Sequence, residues 1–171
     1  MKKLNYKIPE SCDFHEIKHA FSSNACSPKI LKPEFEGIII NAPKKMELTN
    51  DMEAFIACSF SFSNKTDLGI FNKVKNEILF TIVDTESHVP KSGKAPGTQN
   101  PVPLKPSRNA PKSPAKNNGD DIPLQYLRGY VNIDIFNTIN TPKKVGKYVM
   151  YATISTYKSN VLEFEIIEQE K

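Results

Sequence analysis

The sequence predicts an all-β fold: an antiparallel β-sandwich of about seven strands, with a short N-terminal helix and one long, basic, proline-rich loop. Three observations predict it. Apolar residues alternate with polar or small ones in many segments, the period of a strand with one face on a core. These segments are short and recur between turn residues at the spacing of an antiparallel sandwich. One stretch, 91–119, breaks the pattern: it holds Lys91, Lys94, Lys105, Arg108, Lys112 and Lys116, no acid, and six of the 13 prolines.

The 171 residues suit one domain with attachments. Apolar residues make up 39% and charged residues 25%, ordinary globular usage that argues against wholesale disorder. The formal net charge of +4 is not spread evenly: outside 91–119 there are 17 bases against 19 acids, so the remainder is slightly acidic. No apolar run approaches the roughly 18 residues of a membrane span. Met1-Lys2-Lys3 starts like a secretory signal, but Lys7, Pro9, Glu10, Asp13 and His15 interrupt every apolar stretch, so no signal peptide is read. Three cysteines, Cys12, Cys26 and Cys58, are an odd number for a disulfide framework. The expected location is the cytoplasm. The expected division is an N-terminal extension, 1–31, and a β-sandwich domain, 32–171, interrupted by a flexible loop at about 89–122.

The elements follow in order. Leu4, Tyr6 and Ile8 alternate as an edge strand does. Phe14, Ile17 and Phe21, with Ala20 between, form one face of a short helix, capped by Ser11 or Asp13 and ended before Pro28. Glu36–Asn41 and Met46–Leu48 are short strands broken at Pro43, which suits an edge or a kink. Ala54, Ile56, Cys58, Phe60 and Phe62 alternate with Phe55, Ala57, Ser59, Ser61 and Ser63; the first set faces a core and the second reads as a solvent face. Glu77–Asp84 is apolar on both sides and β-branched, as a central strand is. Val131, Ile133 and Ile135 alternate with Asn132, Asp134 and Phe136 in another strand. Tyr148, Met150, Ala152 and Ile154, a turn at 156–160, then Leu162, Phe164 and Ile166 alternating with Glu163 and Glu165 make a hairpin.

Pro142-Lys143-Lys144-Val145-Gly146-Lys147-Tyr148-Val149-Met150-Tyr151-Ala152 resembles the Pro/Gly turn and G-x-Y-x-x-x-A strand of bacterial immunoglobulin-like domains. The resemblance covers residues 142–167 and concerns fold, not activity. It implies that this strand is second to last and that the following hairpin closes a sheet. Without its loop, 32–171 is roughly 110 residues, close to the size of such a domain. The antibody-type Cys…Trp…Cys core is absent, because there is no tryptophan.

His15-Glu16-Ile17-Lys18-His19 matches H-E-x-x-H. On a helix both imidazoles share one face, where they hold zinc while the glutamate activates its water. A zinc metallopeptidase would use His15 and His19 as ligands and Glu16 as general base. Glu34 and Glu36 are third-ligand candidates by spacing, but Pro28 and Pro33 break the helix that usually carries that ligand. Cys12, His15, His19 and Cys26 also form a Cys₂His₂ set for structural zinc; the plain alternative is an exposed helix face with two free thiols. Asp84 and Glu86 flank His88, as a polar strand end does.

The stretch 91–119 offers cations to nucleic acid or an acidic partner, without an aromatic residue to stack on bases. Pro103 and Pro106 have P-x-x-P spacing beside Lys105 and Arg108, the pattern of an extended polyproline segment that docks in an aromatic groove. Its partner-binding candidates are Lys91, Lys94, Pro103, Lys105, Pro106, Arg108, Lys112 and Lys116. The expected function is non-enzymatic binding of another protein, without cofactor. Zinc peptidase chemistry and nucleic-acid binding through 91–119 are the alternatives.

Overall fold

The computed structural model describes residues 5–18, 20–49, 53–65, 77–95 and 124–169. Nearly half of the described residues lie in two sheets. The first has the order β3 (Gly37–Asn41), β5 (Phe55–Ser63), β8 (Tyr126–Asp134), all antiparallel. The second has the order β4 (Lys45–Leu48), β11 (Leu162–Glu168), β9 (Gly146–Ile154), β6 (Leu79–Asp84), β7 (Pro90–Lys94), and the short β10 (Tyr157–Lys158) also pairs with β9. Every pairing there is antiparallel except β4–β11, which is parallel. A small ribbon joins β1 (Tyr6–Lys7) to β2 (Lys29–Ile30). Among the described residues no helix is long and apolar enough to cross a membrane.

The alternation in sequence becomes the main core. Ile56, Cys58, Phe60 and Phe62 of β5 meet Phe80 and Ile82 of β6, Tyr148, Met150 and Ala152 of β9, and Phe164 and Ile166 of β11 in one buried cluster. Each large apolar side chain so buried contributes about 1.5–3 kcal/mol over leaving it in water. The chain changes sheet at Ala42-Pro43-Lys44: β3 lies in the first sheet and β4 in the second. Pro43 has no N–H to donate, so the ladder breaks there.

Four expectations are corrected. The second face of β5 is not solvated: all nine of its residues are buried. The N-terminal segment covers that face. Ser59 Oγ donates to Pro28 O at 2.7 Å, and Asn132 Nδ2 donates to Ser22 O at 3.0 Å. Ile17, Cys26, Phe55 and Ala57 form a second small core between segment and sheet. The small, hydroxylated side chains suit a second polypeptide layer at close range as well as they suit water.

The N-terminal helix is a single 3-10 turn, Phe14–Glu16, capped by Asp13. The strand at 131–136 stops at Asp134, and Ile135–Ile139 form a short helix, α1. Asp134 is the reason: its Oδ1 accepts from Phe136 N and from Ala54 N, both at 3.2 Å, which caps α1 and ties it to the start of β5. Asn140 ends α1 in the left-handed region at φ 51°. Finally, the basic loop does not begin at 89–91, because residues 90–94 are strand β7. Gly93 permits this: a Cβ there would collide with the Thr138 carbonyl oxygen of α1, which lies against β7.

Candidate functional site

Cys12 and Cys26 form a disulfide, with Cα atoms 5.3 Å apart. This corrects the expectation of free thiols. A disulfide and a Cys₂His₂ zinc site compete for the same two sulfurs, and a disulfide sulfur is not the thiolate that zinc binds. Cys58 is the free cysteine, fully buried on β5, and burial pushes its thiol far above the usual range.

The disulfide fixes the chain that follows Cys12. Asp13 Oδ1 accepts from His15 N at 2.8 Å, and Ile17 N donates to Phe14 O at 3.3 Å, closing one turn. Ile17 is then extended (φ −78°, ψ 136°) and buried, so no α-helix runs on from Glu16. The H-E-x-x-H geometry needs residues 15 and 19 one helical turn apart, and that helix is not formed at its start. His15 and Glu16 are exposed; His19 lies outside the described residues. Among the described residues no three His, Cys, Asp or Glu side chains are grouped to hold a metal ion.

The turn forms one wall of a cleft of about 680 Å³. Cys12, Asp13, Phe14 and His15 face Pro43, Lys45, Met46, Glu47 and Thr49 of β4 and its flanks. Glu53, Ala54, Phe55 and Ile167 complete the lining. The floor is apolar: Met46, Ala54 and Phe55 are buried. The rim is charged and exposed, with Asp13, Glu47 and Glu53 against Lys45. The volume falls within the range of small-molecule pockets, and the floor is apolar beneath a polar rim.

Cys12 and His15 thus line one cleft with β4 and the start of β5, and the Cys12 sulfur is taken up by its bond to Cys26. The acids and Lys45 of the cleft were not singled out from the sequence. Their signal was faint: the break at Pro43, followed by Lys45-Met46-Glu47-Leu48, which alternates charge with apolar bulk.

Lys91 and Lys94 sit on β7. Lys94 Nζ contacts Glu77 Oε2 at 2.6 Å, an exposed pair of small energetic weight. Pro103, Lys105, Pro106, Arg108, Lys112 and Lys116 lie outside the described residues. His88 joins Asp84 through its backbone N–H, at 2.9 Å. The Asp84 carboxyl is held below its usual range, first by the N–H of Glu86, then by that of Ser87 and by nearby Lys144. These contacts make a turn, as a polar strand end requires.

No protein-family model, curated protein or solved structure matches the chain.

Proposed function

We propose that this chain is a non-enzymatic binding module on an immunoglobulin-like sandwich, and that it binds another protein through the cleft beside β4. The strand order supports the fold: in such domains strands B and E are neighbours in one sheet, and C, F and G are neighbours in the other. Here β5 and β8 are neighbours, and so are β6, β9 and β11. Tyr148, at the start of the second-to-last long strand, donates its hydroxyl to Lys144 O at 2.8 Å, the form of a tyrosine corner. The Cys12–Cys26 bond supports folding in an oxidising compartment, in place of the cytoplasm read from the N-terminal residues.

The observation that carries the binding role is the cleft itself: about 680 Å³, walled by a disulfide-anchored turn and by an edge strand. Affinity capture tests it, comparing the native protein with a Thr49→Trp variant that fills the cleft. Partners lost by the variant, at an unchanged melting temperature, support the role. Equal capture by both proteins contradicts it.

A further inference from the structure

We infer that the cleft takes an extended, basic segment of the partner protein, added as a strand to the free edge of β4; this rests on the binding role proposed above. Lys45, Met46 and Glu47 all line the cleft. Successive side chains of a strand point to opposite faces. A cavity touched by three in a row therefore reaches round the edge of the strand, while Ile167 of the neighbouring β11, paired with Glu47, shows that it also extends over one face.

The other edges of the two larger sheets are blunted. On β3, the Asn160 side chain occupies both backbone groups of Ile40. On β8, Ala20 bridges to Asn132, with Asn132 N donating to Ala20 O at 2.9 Å. β7 begins with Pro90, which has no donor, and α1 lies against its Gly93. Among the described residues β4 pairs only with β11, so its other row of N–H and C=O groups has no strand neighbour on the edge that the cleft reaches.

Charge selects the occupant. Among the described lining residues three carboxylates, Asp13, Glu47 and Glu53, accompany the apolar floor, against one ammonium, Lys45. An added strand turns alternate side chains to opposite sides. One with apolar residues at every second position and Lys or Arg between them meets both floor and rim. Main-chain hydrogen bonds to β4 supply the remaining affinity.

The test is selection of a random octapeptide display library on the oxidised, full-length protein, with a Glu47→Lys/Glu53→Lys variant as counter-target. Both positions are exposed, and circular dichroism checks that the variant folds. The expected peptides alternate apolar and basic residues, bind the variant about ten-fold or more weakly, and weaken as salt rises. N-methylation of alternate amides abolishes binding in one phase and spares it in the other. Enrichment of neutral or acidic peptides, no enrichment over the variant, or indifference to N-methylation overturns the inference. If the Thr49→Trp comparison still shows cleft-dependent capture, strand addition alone fails and the binding role stands. If both fail, both are wrong.

Discussion

Asn160 pairs with the backbone of Ile40 in both directions: its Oδ1 accepts from Ile40 N at 2.9 Å, and its Nδ2 donates to Ile40 O at 3.0 Å. The two residues are 120 positions apart: Ile40 lies on β3 in the first sheet, and Asn160 in the loop between β10 and β11 of the second. The amide stands where a neighbouring strand would pair, so it closes an edge and ties the sheets together. Ile40 is fully buried, and without Asn160 its N–H and C=O lose these partners. Asn160→Ala is expected to cost about 2 kcal/mol, the usual consequence of leaving buried backbone groups unsatisfied. Urea unfolding checks it, and a change below about 0.5 kcal/mol would contradict the pairing.

Two glycines are required for different reasons. A Cβ on Gly93 meets the backbone of α1, which cannot rotate away, whereas one on Gly129 lies 2.5 Å from Cζ of the Phe60 ring that packs over it. Both substitutions to alanine overpack, at about 1–3 kcal/mol. Gly93→Ala is expected to be the worse, because backbone and helix must move together. Thermal melts of the two variants rank them.

The Cys12–Cys26 bond closes a loop of 14 residues' separation. Reduction, or Cys12→Ser with Cys26→Ser, is expected to cost about 3 kcal/mol by the loop-entropy relation. It should also loosen the cleft wall. Thiol titration of the oxidised native protein should find no fast-reacting thiol, and one, Cys58, after unfolding. Three titratable thiols in unfolded, unreduced protein would contradict the bond.

Burial, followed by the charges of Asp84 and Glu86, raises the Tyr148 phenol above its ordinary value of 10.0. A raised value favours the neutral form in the folded state. Its stabilising contribution is complete below pH 10.0 and is lost as pH rises through the folded value. Tyr148→Phe removes this dependence together with the bond to Lys144 O, worth about 1 kcal/mol. The gap between wild type and variant should therefore narrow above pH 10.0 in denaturation series. A constant gap would count against the burial of this phenol.

The sequence was most legible where one physical cause acted. The hairpin of β9 and β11 follows directly from alternation, since one face of each strand meets the core and the other does not. β5 was legible as a strand but not in its surroundings, because Ser59 and Ser61 are as consistent with a covering peptide as with solvent. The end of β8 was hidden because Ile135 and Phe136 extend the alternation past Asp134, whose carboxylate caps α1 through Phe136 N and also accepts from Ala54 N, 80 residues away. β7 was hidden because Pro90, Lys91, Gly93 and Lys94 have a loop's composition. It is a strand because β6 offers an edge and α1 needs a residue without a side chain. The disulfide was ambiguous because three cysteines allow several pairings. The cleft draws on the N-terminal turn, β4, the start of β5 and the end of β11, a juxtaposition that no local pattern encodes.

The most direct measurement is amide hydrogen exchange along β4, with and without a selected basic peptide at saturation. The expected result is slowed exchange across Lys45–Leu48, with β7, Pro90–Lys94, unchanged. Protection confined to β7, or to the outward face of β9 at Lys147 and Tyr151, with β4 unaffected, would contradict binding at the β4 edge.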